Sequence, residues 1–332
     1  MIIRESARVA AFAAVALMLS APADAQIFRA YVSSTGSDSN PCSLPAPCRL
    51  LPAALTAVAD GGEIWMLDSA NYNTSTVTVT KSVTIRAIPG VMGSIVSTAG
   101  NDAMIVNAPG IVVNLRNLAV VQLGNSNKGI EFYQGAALNI EGCEFDNIVE
   151  HAILAGAPNA FLNVKDTVIR NSGTGIDVGY GTSATIERLQ ITGSVWGVMV
   201  DAGGRAVVRD SMLSGMNTGV MAYAISGAAR LEVDSSTIAH AGQAVYSQTL
   251  NPGDVAEVIV TRSVLDNSST AAITVHQPAS TTASVTVGDS YITQNAVGFS
   301  FLGGLIYSRG NNTLKYNTQD VNGGGLTPMA TM

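Results

Sequence analysis

The sequence predicts an all-β chain wound as a solenoid of about 8–10 parallel coils, closed at its N-terminal end by a short helix. Three observations predict it. The chain is 47% hydrophobic but only 12% charged, with 33 glycines, a balance that suits extended, regular β-structure better than helices. A segment with one internal pattern recurs every 22–27 residues. Where alternation is clear, as in "VTVTKSVTIRA" from Val77 to Ala87, its period is two and not 3.6.

Taken in chain order, the first element is a leader. Residues 1–25 carry Arg4 and Arg8, an apolar run from Val9 to Leu19, and Ala23-Asp24-Ala25, the three-part layout of a secretory signal peptide. The apolar run is too short to span a bilayer, and no later run reaches 18 apolar residues, so membrane insertion after cleavage is not expected. The protein is expected to be secreted, periplasmic or at the cell surface. Removing the leader takes away two basic and two acidic residues, so the net charge stays at −7. With no basic cluster anywhere, nucleic acid is excluded as a partner.

Residues 26–62 read as a cap. The turn-rich "STGSDSNPCSLPAPC" contains Cys42 and Cys48, close enough to pair in an oxidising compartment, whereas Cys143 has no evident partner. Next come Leu50, Leu51, Ala54, Leu55 and Val58 at helical spacing, with Pro52 at an early-turn position and Gly61-Gly62 as the expected stop. Such a helix covers the open end of the first coil, an edge that otherwise invites other chains to add on. Asp38 and Asn40 are turn formers on this reading, and no metal site is assigned to them.

Residues 63–318 form the coils. Trp65, in "GGEIWML", belongs to the first strand. From Leu138 onward the anchor residues are Phe145, Ile169, Ile191, Leu213, Ile238, Leu265 and Ile292. Five residues before each stands Ile or Val: Ile140, Val164, Ile186, Val208, Val233, Val260 and Val287. Seven or eight residues after each comes a third: Ile153, Ile176, Val198, Val220, Val245, Ile273 and Phe299. That is three short strands per coil, each joining a parallel sheet when coils stack. A Gly or Ala before the third marks a tight corner. Val120 extends the signal upstream and Leu314 downstream; residues 319–332 read as a tail.

The coil length, the rhythm in "VRDSML", "VDSSTI" and "VGDSYI", and the opening "YVSSTGSDSNPC" resemble the right-handed parallel β-helix repeat proteins of the pectin-lyase-like superfamily, over residues 28–318. The resemblance implies a single-stranded right-handed parallel β-helix. It does not imply one activity, because that superfamily holds lyases, hydrolases, esterases, tailspikes and exported proteins with no known chemistry.

The polygalacturonase-type motifs, Asn-Thr-Asp, an Asp pair, Gly-His-Gly and Arg-Ile-Lys, are all missing. The strongest catalytic candidates lie three residues before successive anchors, where Asp166, Arg188 and Asp210 stack about 5 Å apart. The alternation reads better as a ladder of turn residues in which the arginine satisfies both carboxylates than as a calcium site. Two residues after the anchors stand Asn147, Asn171, Gly193, Gly215, His240, Asn267 and Gln294, a column suited to left-handed corners and stacked amides. His151, His240 and His276 fall on three different tracks, so no metal or histidine-centred site is expected. The connections after the third strands are short, with Tyr180 and Tyr223 their only aromatics.

The expectation is an exported, non-catalytic structural or binding module with a polysaccharide as its partner and no cofactor. The alternative is a polysaccharide lyase or glycoside hydrolase acting on an acidic polysaccharide. Calcium enters only on the lyase alternative, and the charge of −7 weighs against a polyuronate substrate.

Overall fold

The computed structural model describes residues 26–98, 100–124, 127–278 and 281–329, so the leader lies outside the described residues. Three all-parallel sheets of 13, 11 and 11 strands run the length of the stack. One coil illustrates the plan: Ser183–Glu187 enters the first sheet, Gln190–Thr192 the second and Trp196–Asp201 the third. The anchors form one unbroken column, each the pairing partner of the next, from Val120 through Phe145, Ile169, Ile191, Leu213, Ile238, Leu265 and Ile292 to Leu314. With their counterparts on the other two sheets they fill the bore, where nearly all are fully buried.

Two corners per coil make this register possible. The candidate column Asp166, Arg188 and Asp210 occupies the first, each with φ 50°, the left-handed region. Asn147, Asn171, His240, Asn267 and Gln294 occupy the second at φ 52–60°. Amides do not link the second corner as a stack: Asn171 bonds the carboxylate of Asp146 instead. The stacked asparagines stand on the outer face of the first sheet, where Asn163 donates to Asn139 (2.7 Å) and Asn139 to Asn114 (2.8 Å). After the first corner runs a buried hydroxyl ladder. The backbone N–H of Ser211 donates to Ser236 Oγ, that of Ser236 to Ser263 Oγ and that of Ser263 to Ser290 Oγ, at 3.1–3.2 Å. Each hydroxyl in turn donates to a carbonyl two residues back. Gly197 shows why the second residue of the third strand is small: a Cβ there would stand 2.2 Å from the carbonyl oxygen of Gly219 in the next coil.

Both ends differ from the expectation. The helix spans Leu51–Ala57 and stops at Val58, before the glycine pair, because the chain is drawn there into the strand Val58–Met66. Ile27–Val32 pairs with that strand and is itself the outermost strand of the first sheet, so the cap is part of the stack. At the far end Gln319–Asn322 and Thr327–Pro328 add further strands, and Val321 and Leu326 pack on the core, so the presumed tail continues the coils.

The cap is held by polar contacts. Cys42 and Cys48 form a disulfide, a closure of about 2 kcal/mol for a loop this short. Asp38 accepts the backbone N–H groups of Arg49 (2.9 Å) and Leu50 (2.8 Å), and Asn40 donates to the carbonyl of Pro47, so both shape the turn into the helix. Asp68 receives Ser33 Oγ, the N–H and Oγ of Ser34, and the hydroxyl of fully buried Tyr72. Burial alone would raise its pKa, but those donors outweigh it and hold the carboxyl at about 2.

Two outcomes follow. Because Asp68 titrates lower folded than unfolded, its contribution is present above pH ~4 and lost as pH falls toward 2. Asp68→Asn is therefore expected to cost about 2 kcal/mol in urea unfolding at pH 7, with the gap from wild type closing under acid; a pH-independent gap contradicts this. Ser236→Ala removes the acceptor of a buried N–H and is expected to cost about 2 kcal/mol, whereas an unchanged midpoint would show that the ladder contributes nothing.

Candidate functional site

The corner residues singled out from sequence do not assemble a site. Arg188 forks onto Asp166, Nε to Oδ1 at 2.6 Å and a terminal nitrogen to Oδ2 at 3.0 Å. Its other acidic neighbour is Glu187 at 3.9 Å, and Asp210 forms no ion pair with it among the described residues. Asp166 and Arg188 are each 45% exposed. The guanidinium lowers the pKa of Asp166, and the Asp166 carboxylate raises that of Arg188, an exposed, screened pair of small energetic weight. Elsewhere along this corner Arg262 turns to Asp234, and Asp289 accepts Asn311.

The chemistry gathers instead on the outer face of the third sheet. In Thr174–Val178, Ile176 and Val178 point into the core, so alternation puts Asp177 on the outside, yet it is only 5% exposed. Its pairing partners on the two flanking coils are Leu154 and Met199, which shield it. His151, at the start of the neighbouring strand His151–Ala155, brings Nε2 to 3.2 Å from Asp177 Oδ2. The other oxygen, Oδ1, and His151 Nδ1 are both buried without a partner.

Asp201 ends the next strand and reaches back over Gly179, where a Cβ would stand 2.2 Å from its Oδ1. Only a glycine leaves that space. Burial first, and then the charge of Asp177, push the Asp201 carboxyl up to about 7, with His151 opposing. One coil from His151 toward the cap, Lys128 Nζ lies 3.2 Å from Glu131 and 3.7 Å from Asp102. Burial pulls the Lys128 pKa down, but Asp102, Glu131 and Glu150 outweigh it and raise it.

Beside this strip opens a cleft of about 480 Å³ with Glu131 and Leu154 among its lining residues and Tyr133 and Tyr180 at its rim. The two tyrosines are 53% and 65% exposed, and the Tyr180 ring lies over Gly156. Tyr180 stands in the tight Gly-Tyr-Gly turn at φ 51°, a conformation that costs a bulky side chain on the order of 1 kcal/mol. Trp196 is also half exposed on this face. His276 lies farther along it, Nδ1 3.2 Å from the Tyr246 hydroxyl, while His240 sits in the second corner. Cys143 is fully buried and its thiol is pushed up to about 12, which makes it inert.

Asp177, Asp201, Tyr133 and the Lys128 cluster escaped the sequence reading, which placed candidates at corners. A signal was present: "TGIDV" sets an aspartate at the position where the next two coils have Met199 and Met221. Among the described residues no group of three or more His, Cys, Asp and Glu side chains is disposed to hold a metal ion.

A family described as the right handed beta helix region matches residues 128–319, more than half of the chain. No curated protein sequence matches it. Among solved structures, the pectate lyase Pel9A is similar at 14% identity and TM-score 0.58, over 89% of this chain and 79% of that one. An alginate lyase from Paenibacillus sp. is similar at 15% identity and TM-score 0.52, over 89% of this chain and all of the other. The complex of XylC with xylose is similar at 9% and 0.54, over 86% and 70%. At these identities the likeness is one of fold, and it agrees with the stacked parallel sheets and the matched repeats. The chain belongs to the family of the right handed beta helix region.

Proposed function

We propose that the protein is an exported glycan-binding β-helix that holds a polysaccharide against the outer face of its third sheet. The observation that carries this reading is the cleft flanked by Tyr133 and Tyr180. An exposed tyrosine offers a flat apolar face and a polar hydroxyl, the pairing that suits a sugar ring. Two of them at the rim of one cleft, one held in a strained turn, are hard to explain as packing. The outer face of the first sheet offers a contrast: its charges pair off in exposed bridges such as Arg230 with Glu257 and Arg116 with Glu141.

Charge narrows the ligand. Asp177, Asp201, Glu131 and Asp102 share the face with one lysine already committed to carboxylates, so a neutral or sparsely charged glycan fits better than a polyuronate. The names of similar structures, a pectate lyase, an alginate lyase and a complex with xylose, support a carbohydrate ligand in general, and only the last names a neutral sugar. The disulfide supports an oxidising destination.

In affinity electrophoresis against xylan, arabinan, galactan, mixed-linkage glucan and polygalacturonate, retardation is expected by a neutral polymer. Tyr133→Ala and Tyr180→Ala should each weaken it about tenfold while leaving thermal stability unchanged. Retardation that survives both substitutions, or that polygalacturonate alone produces, contradicts the proposal.

A further inference from the structure

Departures from the plain repeat converge on the cleft. The strand Ile130–Gln134 carries a bulge: Phe132 pairs with Val106 on the preceding coil and Gln134 with Asn107, so Tyr133 is the extra residue and its ring is turned outward, 53% exposed. On the next coil Ala155 pairs with Phe132 and is followed by Gly156, so no side chain stands where the Tyr180 ring leans back, 3.3 Å from the place a Cβ would take. Glu131 is the remaining departure. It occupies an outward position whose pairing partners are Ile105 and Leu154, and it lines the cleft with Leu154. A carboxylate set between two apolar side chains gains nothing from its strand neighbours.

Glu131 is held from one side. Lys128 Nζ reaches its Oε1 at 3.2 Å, and Oε2 has no partner among the described residues. The lysine is itself fixed: buried Asp102 accepts the Lys128 backbone N–H at 3.0 Å and stands 3.7 Å from Nζ. Glutamates on the first sheet are answered instead by arginines in solvent, Glu141 by Arg116 and Glu257 by Arg230. An ionised carboxylate braced in this way offers acceptors to the cleft and no donor. Sugar hydroxyls satisfy it; an ester, an ether or a second carboxylate does not.

We propose that Glu131 is the specificity-determining residue of the cleft, accepting hydrogen bonds from two neighbouring free hydroxyls of one sugar residue, with Lys128 as its positioning residue, so that the cleft selects neutral glycans whose hydroxyls are unesterified. This rests on the glycan reading of the same cleft and names the chemistry it selects. Tyr133, two residues farther along the same strand, covers the apolar face of the sugar while Glu131 takes its hydroxyls. Hydrogen bonds to a charged group are the stronger ones, and two hydroxyls on one carboxylate make a paired contact. An O-acetyl group removes the donor and leaves the carboxylate desolvated without a partner, which is the costly case.

The test uses residues 26–332 in affinity electrophoresis against xylan, arabinan, galactan and mixed-linkage glucan, each free of acetyl groups and again after chemical O-acetylation. The wild type is expected to bind the free form of the polymer that retards it about tenfold more tightly than the acetylated form. Glu131→Gln keeps the shape and adds a donor, and is expected to weaken binding to the free form about tenfold and to bring the two forms within about threefold of each other. Lys128→Met is expected to weaken binding about threefold alone and to add nothing in the Glu131→Gln background, because it acts through that carboxylate. Should Lys128→Met fail to fold, Glu131→Gln carries the test. A residue that only braced the fold would shift thermal stability and leave the preference between the two forms intact. Equal retardation of the wild type by free and acetylated polymers overturns the proposal, as does a Glu131→Gln variant that keeps the preference. A Glu131→Gln variant that gains retardation by polygalacturonate while keeping its affinity for the free neutral polymer shows charge repulsion alone and overturns it too. In each of these cases retardation lost in Tyr133→Ala and Tyr180→Ala leaves the cleft reading standing, whereas retardation indifferent to the tyrosines, or none by any polymer, sinks that reading itself.

Discussion

Each complete coil turns at two residues held in left-handed backbone conformation, and the rest of the molecule depends on those two corners. At the first stand Asn117, Gly142, Asp166, Arg188, Asp210, Ser235, Arg262 and Asp289; at the second stand Asn147, Asn171, Gly193, Gly215, His240, Asn267, Gln294 and Tyr316. Most of these residues have side chains, and for most of those the left-handed region is uncommon. The conformation persists because the corner N–H groups continue the ladder from coil to coil, as from Asp166 to the carbonyl of Glu187 and from Arg188 to that of Arg209. Once the corners are fixed, the strand register has no freedom. A one-residue slip would turn every core side chain outward.

Fixed register turns sequence positions into columns, and each column has its own physics. Inward columns are apolar and buried. The column after the first corner is a chain of hydroxyls that satisfies N–H groups no strand can reach. On the outer face of the first sheet, charges pair across coils in solvent, where they contribute little. On the third sheet the outer side chains are shielded as well, as the fully buried strand Thr174–Val178 shows. A carboxylate placed there loses its water, and that loss raises Asp201. The same stacking that makes a rod makes one of its faces chemically unlike the others.

Much of this was legible in the residues. The anchors found by spacing are the residues that pair in space, from Val120 to Leu314, and the polar columns flanking them are the two corners. What escaped did so for physical reasons. Asp177 differs by one side chain from the apolar strands beside it, and nothing local reveals that Asp201 leans across Gly179 to reach its neighbourhood. Tyr133 lies in a coil where the repeat is faint, and it meets Tyr180 only because coils two apart place their third-strand ends side by side. Helical spacing at Leu51–Ala57 is real, but pairing of Val58–Met66 with Ile27–Val32 ends the helix earlier than the glycines suggested. Val321 and Leu326 show that burial, more than repeat spacing, decides where the stack stops.

The central claim is that function sits on one face of the rod, over the ends of the third-sheet strands between Tyr133 and Asp201. Hydrogen–deuterium exchange of residues 26–332, with and without a saturating oligosaccharide of whichever polymer retards the protein, tests this most directly. The account predicts new protection in residues 130–134, 154–158 and 177–181, and none in Ser183–Glu187 or Arg205–Arg209 of the first sheet. Protection confined to the first sheet or to the disulfide loop of the cap would contradict it.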